Sequence, residues 1–169
     1  MTTSAEKATA DFSLAIDGVE GHCPAGEKWA RQNMMEKKIP VFACEGPCIR
    51  GEIARLAANI VAKEMPRYAR CCYAEVALVP HSAMARWATE AEKAVVIDGC
   101  FLECIGRVVN NVIDRDKVIH IDAHPLYKKY NDVFLMDDVP EEERKAVART
   151  VADRIMSKLK EQATNTASA

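Results

Sequence analysis

The chain has 169 residues, of which 49% are hydrophobic and 28% charged; this suits a single globular domain that can bury its own core. The 23 basic and 25 acidic residues are mixed along the chain, so no charge pattern indicates binding to nucleic acid or to a membrane. Residues 1–11 lack the apolar core of a signal peptide, and no stretch approaches the roughly 20 apolar residues of a membrane span. We therefore expect a cytoplasmic protein.

The first half of the chain alternates short apolar runs with amphipathic segments. Residues 39–43 predict a buried strand, and apolar residues at three- and four-residue steps predict a helix over residues 48–64. A weaker strand is expected over residues 73–79, followed by a helix over residues 82–92. Residues 12–16 predict one additional strand.

The second half repeats this alternation more clearly. Residues 94–97 predict a strand that leads through a turn into a helix over residues 101–112, and a short strand follows at 118–121. The final helix is expected from Pro140 to about Lys160, because proline fits a first helical turn and the glutamates after it suit the positive end of the helix dipole.

Strands that alternate with helices predict right-handed crossovers and a mainly parallel, Rossmann-like sheet. Helices should cover both faces of this sheet, which makes the fold class a three-layer α/β/α sandwich. We expect one domain over residues 11–162, between a flexible N-terminus at residues 1–10 and a disordered tail at residues 163–169. Ligands of such folds bind beyond the carboxyl ends of the strands, so functional side chains are expected at that edge.

Seven cysteines are the residues most informative about chemistry. Thiols stay reduced in the cytoplasm, so a cysteine-rich chain there indicates metal binding or thiol chemistry rather than disulfides. Cys44 directly follows the first clear strand, and Cys48 begins the next helix. Cys100 and Cys104 follow the strand at 94–97, where we expect them to share one helix face and to be stabilised as thiolates by the helix N-terminus.

These four positions, with Cys71 or Cys72 as a further ligand, converge on one edge of the predicted sheet. Four thiolates suit a tetrahedral zinc ion, at zinc–sulfur distances of about 2.3 Å. Thiolates also suit an iron–sulfur cluster, and a buried cysteine often acts only as a small hydrophobic residue. Spacing alone leaves these three interpretations open, because the cysteines are separated by three residues rather than the familiar two.

The stretch from Lys38 to Val112 resembles the DGC-domain family, which is named for an Asp-Gly-Cys motif. In this chain the motif is Asp98-Gly99-Cys100, within residues 95–104. Upstream, the similarity covers residues 41–46 and continues into residues 51–55. The segment with the motif and its second cysteine is the most specific part of the resemblance.

Members of this family carry four cysteines that are thought to bind zinc. The resemblance assigns the ligands to Cys44, Cys72, Cys100 and Cys104, with Cys71 as an adjacent alternative to Cys72. Cys48 is an extra thiol that replaces Cys72 as a ligand, stays free, or helps to hold an iron–sulfur cluster instead. The resemblance implies no established reaction, so a structural, metal-handling or thiol-sensing role remains open.

Asp98 and Gly99 have expected roles of their own. The Asp98 carboxylate either orients the turn through bonds to backbone N–H groups or hydrogen-bonds a metal ligand. Gly99 is expected to permit a backbone shape that a β-carbon would obstruct.

A different function fits Cys44 and Arg50. A cysteine, five residues and an arginine between a strand and a helix resemble the phosphate loop of low-molecular-weight tyrosine phosphatases and arsenate reductases. Cys44 would then attack phosphorus, Arg50 and loop N–H groups would hold the oxyanion, and Asp122 would be the acid. Pro47 removes one of those donors and Glu45 adds negative charge, which disfavours this enzyme. The sequence identifies no substrate or protein partner, and leaves a homo-oligomer open.

Overall fold

A parallel sheet lies between two layers of helices in the computed structural model, which describes residues 13–167. The strands are β1 (Ile39–Ala43), β2 (Tyr68–Arg70), β3 (Ala94–Asp98) and β4 (Val118–Asp122), in the spatial order β2-β1-β3-β4. The α-helices of the described residues are α1 (Pro24–Met35), α2 (Ile49–Glu64), α3 (Tyr73–Leu78), α4 (Ala83–Glu90), α5 (Cys104–Val109) and α6 (Glu141–Ala167). The predicted α/β fold with its parallel sheet is confirmed.

Side chains alternate between the two faces of the sheet. Val41 and Val95 pack with α2 and α6 on one face. Phe42 and Val96 pack on the other face, where α1, α3, α4 and α5 contribute the apolar side chains. The two central strands, β1 and β3, are buried over their whole length, as expected for strands covered on both sides.

Small residues line the contact between α2 and α6. Ala54 and Ala57 on α2, and Ala148 and Ala152 on α6, are all fully buried. Because protein interiors are packed as densely as molecular crystals, alanines here let the two helices approach closely and leave no room for longer side chains.

The strand predicted over residues 73–79 is wrong, because this segment forms α3. The backbone N–H of Val76 donates to the carbonyl of Cys72 at 3.1 Å, and that of Val79 to the carbonyl of Glu75 at 2.9 Å, which is the four-residue step of an α-helix. The second strand is instead Tyr68–Arg70, which pairs in parallel with β1 so that Arg70 lies opposite Val41.

The helix predicted over residues 101–112 is observed only as the shorter α5. Glu103 precedes it with φ 52° and ψ 42°, in the left-handed region. A right-handed helix cannot run through such a residue, so Cys100 lies in a turn before α5 and not on the helix.

Three further differences concern the ends of the chain. The sequence patterns did not predict α1, which begins at Pro24 with Cys23 as its N-cap. Residues 13–16 form no strand, and Phe12 and residues 1–10 lie outside the described residues. The last helix continues to Ala167 instead of ending near Lys160. Within the described residues, no helix combines the length and the apolar character needed to cross a membrane.

We expect Ala152→Leu to lower the free energy of unfolding by about 1–3 kcal/mol, because added methylene groups in a packed interface force neighbouring side chains and backbone to move. Ser157→Leu is the matched control, since Ser157 lies on the exposed face of the same helix, and its effect should stay within about 0.5 kcal/mol. Urea unfolding measures both. Equal losses in the two variants would contradict the close α2–α6 contact.

Candidate functional site

Two adjacent loops at the carboxyl edge of the sheet carry four cysteines. In the first loop (residues 44–48), Cys44 continues β1 by donating its backbone N–H to β3. Cys48 caps α2, and its Sγ accepts a backbone N–H from the first turn of that helix at 3.4 Å. Cys100 belongs to the second loop (residues 99–104), whose last residue, Cys104, is also the first residue of α5.

The two loops meet at Gly99. A β-carbon added to Gly99 would lie 2.6 Å from the carbonyl oxygen of Arg50 and 3.0 Å from the backbone nitrogen of Gly51. The φ angle of Gly99 is not in the left-handed region, so this position requires glycine for space and not for backbone conformation. Gly51 is equally confined, since its β-carbon would lie 2.7 Å from the carbonyl oxygen of Gly46. The start of α2 therefore sits directly against both loops.

The buried Asp98 carboxylate anchors the second loop to the rest of the fold. Its Oδ1 accepts the N–H of Ile105 at 3.0 Å, and its Oδ2 accepts the N–H of Gly106 at 2.9 Å. The same Oδ2 lies 2.9 Å from Nε2 of His120 on β4. These bonds reach the backbone of α5 and a neighbouring strand, so one side chain joins β3, α5 and β4.

His120 was not predicted as a site residue. It lies in a predicted strand rather than at a helical spacing from other polar residues, and its pairing with Asp98 depends on the register of β3 and β4. Gly106 makes room for the pair, since a β-carbon there would lie 2.9 Å from Asp98 Oδ2 and 3.1 Å from His120 Nε2. Nδ1 of His120 lies 4.0 Å from Glu103 Oε1, so the ring also faces the second loop.

Burial changes the pKa of two of these thiols. It raises the pKa of the Cys44 thiol, although the backbone N–H groups of Gly46 and Gly99 hydrogen-bond to the sulfur and lower it in part. Burial also raises the pKa of Cys104. The charges of Cys100 and Asp98 add to this effect on Cys104, so in the absence of a metal the pKa of both thiols lies above its usual value.

Cys71 and Cys72 follow β2, one strand beyond the first loop. Cys71 is only 4% exposed within the core, and burial raises the pKa of its thiol well above the usual value. Cys72 is exposed at the N-cap of α3 and makes no side-chain capping bond. Arg70 reaches from β2 to the first loop: it donates to the carbonyl of Val41 on β1 and to the carboxylate of Glu45 in the loop.

The structure therefore separates the thiols that the resemblance assigned as ligands. Cys44, Cys100 and Cys104 lie on the touching loops together with Cys48, whose charge acts on Cys44; Cys72 lies at the end of the neighbouring strand. The expectation that Cys100 and Cys104 share a helix face is wrong, because Cys100 precedes α5. Within residues 13–167, no three His, Cys, Asp or Glu side chains are already arranged to hold a metal ion.

The phosphatase-like interpretation gains little from this geometry. Arg50 uses its Nη2 to donate to the carbonyl of Asn131 at 2.6 Å. The N–H groups at Cys44 come from Gly46 and from Gly99 in the other loop, whereas a phosphate loop draws its donors from one continuous segment. Arg50 and the Cys44 thiol thus make hydrogen bonds with different parts of the chain.

A family model described as DGC domain matches residues 40–151, from β1 into α6. The chain belongs to the DGC-domain family. The match confirms the resemblance in residues 38–112 and extends it over β4 and the start of the last helix. No curated protein and no solved structure matches the chain. In this DGC domain the three residues of the naming motif supply an anchoring carboxylate, a close backbone contact and a thiol.

We expect Gly99→Ala to lower the free energy of unfolding by about 1–3 kcal/mol, because its β-carbon would collide with backbone atoms and push the loops apart. Gly46→Ala is the matched control from the first loop. Its β-carbon would meet only the Cys44 sulfur at 3.7 Å, so its effect should stay within about 0.5 kcal/mol. Thermal unfolding compares the two, and equal stability of both variants would contradict the contact at Gly99.

Asp98→Asn should destabilise the domain by about 2 kcal/mol, since an amide NH₂ facing the N–H of Gly106 leaves buried donors without an acceptor. Asp122→Asn serves as the control. Asp122 accepts the backbone N–H of His124 through Oδ1, and asparagine retains that acceptor. Chemical denaturation measures both, and an Asp98→Asn variant as stable as the parent protein would refute the anchoring role.

Proposed function

We propose that this DGC domain binds a zinc ion through cysteine thiolates at the carboxyl edge of its sheet. The observation that supports this most directly is the pair of touching loops that carry Cys44, Cys48, Cys100 and Cys104. The donor set fits the metal, because zinc readily takes four sulfur ligands from separate elements of a fold. Since the described thiols do not yet surround a common point, the proposal requires their side chains to rotate on binding.

Three ligands of the proposed site are Cys44, Cys100 and Cys104, and two thiols compete for the fourth position. The family resemblance favours Cys72. The geometry favours Cys48, because it shares a loop with Cys44, whereas Cys72 lies after β2 at the N-cap of α3.

The proposed centre has a defined proton chemistry. Zinc binds thiolates, so the neutral Cys44 and Cys104 thiols must release protons when the metal binds. Binding should therefore strengthen as pH rises and weaken as pH falls. All seven cysteines are free thiols, which suits the reducing cytoplasm in which we place the protein. A zinc ion with four thiolates has no open position for a substrate, which favours a structural, metal-handling or sensing role over an enzymatic one.

Protein purified without oxygen should contain about one zinc per chain and no acid-labile sulfide. Cys100→Ser should lower both the zinc content and the melting temperature, because metal binding and folding are coupled. Cys23→Ser is the control, since Cys23 lies exposed at the start of α1. Detection of iron together with acid-labile sulfide would show that the cysteines hold an iron–sulfur cluster instead of zinc. Absence of metal would contradict the proposal and turn attention to Cys44 and Arg50, assayed with phosphate esters and arsenate.

The same metal measurement assigns the fourth ligand. Cys48→Ser removes a thiolate but retains the helix cap, because serine is a favourable N-cap residue. Loss of zinc in Cys48→Ser with full zinc in Cys72→Ser would assign Cys48, and the reverse result would assign Cys72.

A further inference from the structure

A group of unpartnered donor atoms lies beside the first loop. In the described part of the chain, six buried side-chain nitrogen or oxygen atoms have no hydrogen-bond partner, and three of them are Arg50 Nε, His124 Nε2 and Tyr127 Oη. Buried polar atoms in folded proteins are nearly always paired, so each exception indicates a missing partner such as a water, an ion or a ligand. Three of these exceptions belong to side chains around Tyr127, which makes this place a candidate binding site.

Tyr127 interacts with both of the other side chains. The rings of His124 and Tyr127 are nearly perpendicular, with centroids 5.5 Å apart. The charge of Arg50 acts on the Tyr127 phenol, as do the charges of Cys48 and Asp122. Arg50 also belongs to the first turn of α2, a helix of 16 residues, whose N-terminus adds partial positive charge.

The segment of residues 127–135 contacts the start of α2, where the backbone N–H of Ile49 donates to the carbonyl of Phe134. Its Asn131 carbonyl accepts the hydrogen bond from Arg50 Nη2. Lys128 and Tyr130 have φ angles of 53° and 61°, a left-handed conformation that is uncommon for residues other than glycine. Such strain persists only where the surrounding structure holds it, and it is frequent in segments that clamp ligands.

We propose that Arg50, His124 and Tyr127 form a binding site for an oxyanion group, a phosphate or a carboxylate. The planar guanidinium matches the geometry of both groups, and the tyrosine hydroxyl and imidazole N–H add single donors. Burial raises the pKa of the Tyr127 phenol above its usual value, so the hydroxyl keeps the proton that it donates. The phosphate-loop interpretation paired Arg50 with Cys44, whereas this site pairs Arg50 with residues that follow β4.

The charged residues around the site limit how much negative charge a ligand can carry. Asp122 lies nearby, with its Oδ1 accepting the N–H of His124 at 3.0 Å, and its negative charge partly offsets that of Arg50. The site is therefore suited to one anionic group and not to a polyanion such as nucleic acid. No thiol is among its donors, so the site goes beyond the proposed zinc centre and does not depend on it.

Isothermal titration calorimetry with inorganic phosphate and with sodium acetate, at ionic strength held constant with chloride, tests the proposal on the full chain. We expect saturable binding of at least one anion, weakened by about tenfold or more in Arg50→Gln and in Tyr127→Phe. Tyr127→Phe should not lower the melting temperature of the unliganded protein, because the hydroxyl that it removes is buried without a partner. Arg55→Gln is the control: Arg55 lies on the same helix and pairs with Glu52, so its loss should leave anion binding unchanged.

Phosphate binding without acetate binding would identify a phosphate-bearing ligand, and acetate binding a carboxylate; either supports the site. Absence of saturable binding for both anions, or binding that neither variant weakens, would overturn the proposal. If Arg50→Gln fails to fold, the anion affinity of Tyr127→Phe decides the test. Zinc is measured in every sample, so that a loss of anion binding at unchanged metal content cannot be confused with failure of the thiolate centre.

Discussion

The contact between Gly99 and the first turn of α2 is the constraint on which the carboxyl edge of the sheet depends. The backbone of Arg50 and Gly51 leaves no space for a side chain at residue 99, so the loops after β1 and β3 can adopt only positions that fit each other. Asp98, the residue before this contact, fixes the second loop from the opposite side through α5 and β4. Steric fit on one side and a satisfied buried carboxylate on the other leave the intervening turn, with Cys100, little freedom to move.

The elements that could be predicted from sequence are those whose signals are local. The buried strands β1 and β3 were predictable because continuous apolar runs end at turns, and α2 because its apolar residues recur at helical steps. Local preference misled at residues 73–78, where tyrosine and valine favour a strand but β2 already occupies the position beside β1. The start of α5 depends on Glu103 and on bonds from Asp98, neither of which is visible in a periodic pattern.

The residues of the candidate site also differ in whether a local sequence signal could predict them. Cys44 and Cys100 could be placed at one edge because each directly follows a strand, and parallel strands end together. His120 could not be linked to Asp98, because their contact depends on strand register and on the small Gly106 between them. The donors of Arg50, His124 and Tyr127 are equally non-local: two belong to the segment after β4 and one to α2, and only the folded chain brings them together.

The first turn of α2 is shared by both proposed sites, so a group bound at one site would change the affinity of the other electrostatically. Cys48 caps the helix, Gly51 supports the loop contact, and Arg50 supplies the charge of the anion site. A zinc ion bound by four thiolates carries net negative charge, which would repel an oxyanion placed beside Cys48. The positive charge of Arg50 would stabilise either the zinc–thiolate centre or the oxyanion. Each bound group would therefore weaken the affinity for the other, and by the same factor. Two negative groups on either side of one arginine would be coupled in this way without any domain movement.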